Sequence, residues 1–404
     1  MSHRYAVTVV GGGLVGATAA LLFARSGCSV ALIEPQPMQV ATGKFGLDLR
    51  TVALNPQSAQ LLQRIGLELG AEDGRRPSWA HPYQNMQVWE ERGLSRLHFS
   101  AAEVARNELG WIVELSPLTA GLIEKCCAQT QVYGAAVETM QAEENHVSLQ
   151  LTDGQTLETE WVVAADGGAS KVRNLAQIGL QTFALEQHAL GTLVQTERPH
   201  ASTAWQCFLR SGPLAFLPVA SDKAPASNLV SVVWSQAPDQ AKARAALSDI
   251  DFCAALTRAS EASLGQVVDA DRRVVFPLRQ QCAKAFYQGR VVLLGDAARV
   301  VHPLAGLGVN IGFEDLSALD EVWQQGPGER GLHRWASRRR LRSLQMIRLL
   351  DGLNRFYAQK SPLTGLLRNA GVQFFDSMAP LKNQIMREAM GLGPLARATQ
   401  SSVS

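Results

Sequence analysis

Val9-Val10-Gly11-Gly12-Gly13-Leu14-Val15-Gly16 decides the fold. The uncharged run Ala6 to Val10 leads into it, and Ala17-Thr18-Ala19-Ala20-Leu21-Leu22-Phe23-Ala24 leaves it and stops near Gly27. A second apolar run, Ser29-Val30-Ala31-Leu32-Ile33, ends in Glu34. The order is strand, glycine turn, helix, strand and terminal acid. Gly11, Gly13 and Gly16 fit G-x-G-x-x-G. The first permits a tight turn, the second lets the backbone approach a pyrophosphate, and the third packs helix against strand. The helix start adds free N–H groups and a positive dipole end for the phosphates. A carboxylate at Glu34 accepts from ribose hydroxyls and disfavours a 2′-phosphate, so FAD or NAD is expected rather than NADP. The bland alternative is a structural strand–helix–strand unit with a glycine-rich turn.

Working outward, two later junctions have the same form. Trp161-Val162-Val163-Ala164-Ala165 runs into Asp166-Gly167-Gly168-Ala169-Ser170, and Val291-Val292-Leu293-Leu294 runs into Gly295-Asp296-Ala297-Ala298. Short uncharged runs ending in Gly or Asp look like buried parallel strands. A plain NAD dehydrogenase needs only the first junction, so the later two favour FAD. Asp153-Gly154 between two apolar runs is a hairpin signal. From about 181 to 285 short strand-like runs dominate, followed by one helix over about Pro238 to Leu264. This predicts a second body of mixed sheet inserted into the first. From about 328 the pattern is helical, with a basic cluster at Arg338, Arg339, Arg340 and Arg342.

Composition narrows the function classes. The chain has 404 residues with a net charge of +2, which offers no basic surplus for nucleic acid. Only 18% of residues are charged, low for a soluble chain. The six cysteines show no C-x-x-C spacing, which argues against zinc and for reduced thiols in a cytoplasmic protein. The histidines show no ligand spacing either, so no metal is expected. The N-terminal residues read as a strand rather than a secretory signal, and no apolar run is long enough to span a membrane.

These segments together resemble the flavoprotein aromatic monooxygenases of the p-hydroxybenzoate hydroxylase type, and more closely the ubiquinone-biosynthesis hydroxylases, the 2-polyprenylphenol hydroxylases. Asp48-Leu49-Arg50-Thr51-Val52-Ala53-Leu54, Ala164 to Arg173, Phe276-Pro277-Leu278 and Gly295 through Gly312 carry the resemblance beside the first glycine turn. It runs over nearly the whole chain.

The resemblance implies an α/β fold: a Rossmann-like FAD-binding domain with an inserted mixed-sheet substrate domain and a C-terminal helical segment. The expected division is 1–75, 100–180 and 285–330 for FAD binding, 76–99 and 181–284 for substrate, and 331–404 for the helical segment. Arg50 is expected near the phosphates or ribityl chain of FAD. Asp166 with Gly167 is expected at the pyrophosphate groove, or capping the helix that starts near Ser170, or both. Asp296, just after Gly295, would hold a ribityl hydroxyl. Gly306, Gly308, Val309 and Asn310 would present backbone N–H groups beneath the flavin pyrimidine edge. Pro303 would border the flavin ring, and His302 would modulate proton transfer or serve as a structural hydrogen-bonding group.

Two positions depart from the family pattern. Arg299 stands where a His is usual, and Leu307 where a Gln is usual. The implied activity is hydroxylation of a polyprenyl phenol by O2 through a flavin C4a-hydroperoxide, with NAD(P)H as reductant. Phe216, Leu217 and Trp234 are candidate pocket residues, or plain core. The substrate implies a protein peripheral to the inner membrane. Its C-terminal segment, with the Arg338–Arg342 cluster, would meet anionic headgroups or other ubiquinone-pathway proteins; a homo-oligomer is also compatible. Two further readings stay open: a hydroxylase of a small soluble aromatic acid, and a flavin-binding accessory paralogue with little activity, the latter raised by Arg299 and Leu307.

Overall fold

The strand His3–Val10 lies at the centre of the first sheet because both of its faces are apolar: Val7, Val9 and Val10 are buried, and so is Thr8. It pairs in parallel with Val30–Ile33 on one side and with Thr156–Ala164 on the other. The sheet extends outward to Gln131–Tyr133 beyond the former and to Val291–Leu293 beyond the latter, all parallel. Its outermost strand, Tyr287–Gln288, returns antiparallel. The computed structural model describes residues 3–36, 42–70, 76–91, 93, 96–221, 227–302 and 307–358.

Register does the functional work. Val10 is paired with Ile33 and with Ala164, and Ala164 with Leu293. The carboxyl ends of four parallel strands therefore finish level at one sheet edge. The three junctions, far apart in sequence, open into a single crevice, as expected for open α/β sheets. The Asp153-Gly154 hairpin forms as the spacing predicts, joining Val147–Leu151 to Thr156–Ala164.

Helix Leu14–Arg25 follows the first turn, its small Ala-rich face buried on the sheet. Helix Leu307–Gln324 packs beside it, and helix Glu329–Ala358 packs in turn on Leu307–Gln324 and on strand Gln280–Ala283.

A second large sheet runs in the order Val267–Ala270, His188–Thr196, Leu229–Gln236, Gly212–Val219, Thr203–Leu209, Asn85–Glu90, Arg96–Ser100. All its pairings are antiparallel except Thr203–Leu209 with Asn85–Glu90. Ala80–Tyr83, expected on the substrate side, pairs instead with Gly110–Glu114, which also pairs with Thr51–Leu54. That small three-stranded sheet sits between the two large ones. The single helix expected over Pro238 to Leu264 is two, Pro238–Ala245 and Asp249–Ala259. Ser248 separates them: its hydroxyl accepts from the Asp251 N–H and caps a new start.

Candidate active site

The first turn is held by backbone contacts that admit no side chain. Gly11 has φ +105°, and a Cβ there would lie 2.4 Å from the Ala165 carbonyl oxygen. A Cβ on Gly16 would lie 1.9 Å from the Gly11 carbonyl oxygen. Gly13 is different. A Cβ there meets nothing within 4 Å, so this face of the turn opens into the crevice. Glu34 reaches across from the next strand, its Oε2 accepting from the Gly12 N–H at 2.6 Å. The acid is thereby fixed beside the helix start.

At the second junction, Asp166 Oδ2 accepts from the Val172 N–H at 3.1 Å, while Ser170 Oγ accepts from the Arg173 N–H at 2.9 Å. Ser170 is the N-cap of Lys171–Leu175, and Asp166 supports the same turn. Asp166 Oδ1 is buried with no hydrogen-bond partner among the described residues. Gly167 follows it directly in the turn. At the third junction, Gly295 opens the short helix Gly295–Ala298, and Asp296 faces the crevice. Enclosure by the surrounding protein pushes the Asp296 carboxyl up, and Arg299 opposes that shift.

Asn310 acts through its side chain as well as its place on the helix. Its Oδ1 accepts from the Asn55 N–H and the Ser58 hydroxyl, and its Nδ2 donates to the Ala53 carbonyl. This fixes the start of Leu307–Gln324 against strand Thr51–Leu54. The first N–H groups of any helix lack intrahelical partners, so this start presents donors towards the cavity lined by Gly308 and Val309. Arg50 donates to Ser116 Oγ at 2.8 Å, and its side chain is 61% exposed. Buried Asp48 anchors the same corner through the Arg50 N–H and the Ser116 N–H and hydroxyl. Pro303 and Gly306 lie outside the described residues.

A cavity of about 310 Å³ opens between the two large sheets. Asp296, Val300, Val301, His302, Gly308 and Val309 form the wall next to the crevice. Met86, Ala204, Ala215, Leu217, Val233 and Phe276 are among the residues of the opposite wall. Leu217 lines the cavity as expected, but Phe216 and Trp234 do not. Strand side chains alternate between faces, and these two point the other way, into a core with Phe252 and Leu256. Gln206, Ser235, Trp205 and Tyr83 also line the cavity, and the sequence reading did not single them out. The signal was present in Thr203–Leu209, where Gln206 interrupts a mostly apolar strand.

His302 is almost fully buried, with Nε2 2.9 Å from Gln187 Oε1. An amide oxygen only accepts, so Nε2 carries the proton and donates. Burial pushes the His302 pKa down to about 4. The ring is therefore neutral at pH 7. A histidine with a lowered folded pKa binds fewer protons folded than unfolded, so its contribution to stability is lost as pH falls from about 6.5 towards 4. The expected loss is up to about 3 kcal/mol. Denaturant titrations of His302→Gln between pH 4 and 7 should show a flatter stability profile than wild type; an unchanged slope refutes the assignment.

The two departures prove to be structurally distinct. Arg299 does not line the cavity. It is buried, and its Nη1 donates to the Asp315 carboxylate. Leu307 begins the long helix. The basic cluster makes contacts within the chain. Arg339 is buried on Asp315 and Glu314, Arg342 pairs with Glu314, and Arg340 donates to the Ala283 carbonyl. These three are committed to the chain's own interior contacts, and residues 359–404 lie outside the described part.

Comparison with known proteins completes the site. The family model described as an FAD binding domain matches residues 4–349. The ubiquinone hydroxylase UbiL of Rhodospirillum rubrum is 33% identical over 403 residues, covering 96% of this chain and 90% of that protein. The chain belongs to the ubiquinone-biosynthesis hydroxylases. These are FAD-dependent monooxygenases, related to the p-hydroxybenzoate hydroxylase-like flavoproteins. The 3-demethoxyubiquinol 3-hydroxylase of Escherichia coli is 31% identical over 400 residues, covering 96% of this chain and 98% of that protein. Among solved structures, p-nitrophenol 4-monooxygenase PnpA of Pseudomonas putida superposes with a TM-score of 0.76 at 20% identity, covering 98% of this chain and all of that one. At that identity the likeness shows the fold.

The residues of this hydroxylase fit FAD. The open face at Gly13 leaves room for a pyrophosphate, and Asp166 Oδ1 is a buried acceptor without a partner among the described residues. Glu34 and Asp296 supply acceptors at the two ends of the crevice. No group of metal-ligating side chains occurs among the described residues. All six cysteines are unbridged.

Proposed function

We propose that this monooxygenase hydroxylates the ring of a polyprenyl phenol in ubiquinone biosynthesis, using O2 and NAD(P)H. The observation that carries the reading is the character of the cavity. No Lys or Arg is among the described residues that line it, and most of them are apolar. A soluble aromatic acid needs a cation for its carboxylate, because an unpaired charge is costly to bury. A neutral phenol with a prenyl chain does not. The activities for which the Rhodospirillum and Escherichia relatives are named support the same substrate class.

FAD, when bound, supplies the oxygen-activating chemistry. Glu34, Gly13, Asp166 and Asp296 would hold it. Gly308 and Val309 at the start of the long helix orient donors towards the cavity. Met86, Leu217 and Phe276 exclude water from the reacting face. His302, neutral and donating to Gln187, keeps its proton at Nε2 and adds no charge to the wall. Few acid–base groups are needed. The accessory-paralogue reading gains nothing from Arg299, which is occupied by Asp315 outside the cavity.

The same reading brings the substrate from a membrane surface. No helix among the described residues is long and apolar enough to cross a membrane. Leu341 and Leu349 stand exposed on helix Glu329–Ala358, an apolar complement to a lipid surface.

The test uses purified holoenzyme with NAD(P)H and two probes, a short-chain prenyl phenol and a soluble hydroxybenzoate. Expected is oxygen consumption stimulated by the prenyl phenol, with one oxygen atom gained by its ring. Stimulation and product formation with the hydroxybenzoate alone overturn the proposal.

A further inference from the structure

Two polar side chains of the wall open onto the cavity without a hydrogen bond to any described residue. Gln206 is 7% exposed and Ser235 is 2% exposed. Both line the cavity, and neither side chain makes a hydrogen bond to a described residue. Neither contributes a sealed, unpaired polar atom, so their polar ends open onto the cavity and are available to what enters it. Trp205 Nε1, also in the wall, is a buried donor with no partner among the described residues, and the remaining polar groups are differently placed. Thr51 Oγ1 is bonded to Ser231 Oγ at 2.8 Å, and His302 is bonded to Gln187. Asp296 belongs to the crevice side. Tyr83, at the end of Ala80–Tyr83, adds a third group. Burial pushes its hydroxyl pKa up to about 12, so it stays protonated and able to donate.

The sheet spaces these groups for a ring. Gln206 lies opposite Ala215, and Ala215 lies opposite Val233. Ser235 stands two residues further along the strand of Val233, so its side chain returns to the same face. Gln206 and Ser235 are thus two strands apart, about 10 Å across the sheet. Ala215 between them, with Ala204 beside it, leaves a low floor. An aromatic ring on that floor has polar groups at its edges and Gly308 and Val309 on the facing wall.

We infer that Gln206 and Ser235, with Tyr83, bind the oxygen substituents of the substrate ring and so select which ring carbon faces the flavin. The inference rests on the phenol reading above. The amide of Gln206 both donates and accepts, so it reads a ring hydroxyl and a neighbouring ring oxygen together. A site built to hydrogen-bond a hydroxyl rejects the analogue lacking it, because its own polar groups are then left unpaired.

The test compares a short-chain prenyl phenol with the same molecule lacking the ring hydroxyl. Calorimetric affinities are measured on wild-type holoenzyme, Gln206→Leu and Ser235→Ala. Wild type should prefer the phenol by at least about tenfold, and Gln206→Leu should narrow that preference to about threefold or less. Its kcat/KM for the phenol should fall about tenfold, with more NAD(P)H oxidised per product formed. Thermal unfolding and FAD affinity should not move, which separates substrate recognition from a structural role. Ser235→Ala removes one buried atom and carries the same test should Gln206→Leu not fold. Full discrimination and full coupling retained in both variants overturn the inference while leaving the phenol reading intact. Wild type that binds neither probe, or is turned over only with an aromatic acid, overturns the phenol reading itself.

Discussion

Gly11→Ala is expected to lose both stability and FAD, whereas Gly13→Ala loses FAD alone. At Gly11 the new Cβ would sit 2.4 Å from the Ala165 oxygen, 2.6 Å from its carbonyl carbon and 2.8 Å from the Asp166 nitrogen. These are backbone atoms of the second junction, and no side-chain rotation relieves them. The φ of +105° adds strain for any L side chain. Relief requires strands His3–Val10 and Thr156–Ala164 to part where Val10 meets Ala164. A cost of about 3–5 kcal/mol follows, at the upper end for single substitutions. Gly13 has φ −67° and ψ −179°, ordinary for alanine, and its Cβ meets nothing within 4 Å. Stability should therefore change by less than about 1 kcal/mol. The methyl instead occupies the space into which a pyrophosphate must come. Denaturant unfolding of the apoproteins and flavin titration separate the two effects. If Gly13→Ala takes up FAD as tightly as wild type, the phosphate does not lie on this turn.

The contrast shows which part of the molecule was legible in the sequence. Each of the three junctions carries its own local signature, an uncharged run ending in Gly or Asp. Once parallel pairing is assumed, level strand ends bring them together, as Val10, Ile33, Ala164 and Leu293 are. Asp166 and Asp296 follow from position alone. The cavity wall does not. A one-residue change of register or phase turns every side chain of a strand to the other face. Gly212–Val219 is apolar on both faces, and in Leu229–Gln236 only Ser231 and Ser235 mark one face, so alternation gives little phase. Large aromatic side chains were the natural choice for the pocket, yet Phe216 and Trp234 face the core while Leu217 and Ser235 face the cavity. The commitments of the arginines were invisible for a different reason. Arg299, Asp315 and Arg339 come from separate segments, and nothing local announces that they meet.

Asp315→Asn is expected to be the most damaging of the charge substitutions. Asp315 is fully buried between two guanidinium groups, accepting from Arg299 Nη1 through Oδ2 and from Arg339 Nε through Oδ1. Its backbone carbonyl also accepts from the Trp335 indole N–H at 3.1 Å. Glu314 takes the remaining charge, accepting from Arg339 at 3.1 Å and Arg342 at 3.0 Å. An asparagine keeps the shape but removes the negative charge and turns an N–H group towards an arginine. Arg299 then has no carboxylate partner among the described residues while Arg339 and Arg342 share Glu314, and breaking such a site costs about 3–5 kcal/mol. Arg299→Leu should cost less. Arg299 Nε and Nη2 have no partners among the described residues, so removing that cation also removes unsatisfied donors. Equal costs, or the reverse order, would show that the cluster is not organised around Asp315.

The cluster also has an acid limit. Burial raises the Glu314 pKa, but Arg342 and Arg339 outweigh it and hold the carboxyl below its ordinary value. A lowered carboxylate contributes stability above its unfolded pKa, about 4.3, and loses that contribution as pH falls through the folded value. The consequence reaches the cofactor site because Arg299 ends the short helix that carries Asp296. Freed from Asp315, that turn loses its fixed orientation, so Asp315→Asn should weaken FAD binding without touching any group that contacts it. Flavin dissociation measured under conditions where the variant remains folded decides the point. Unchanged FAD affinity there would confine Asp315 to holding helix Glu329–Ala358 in place.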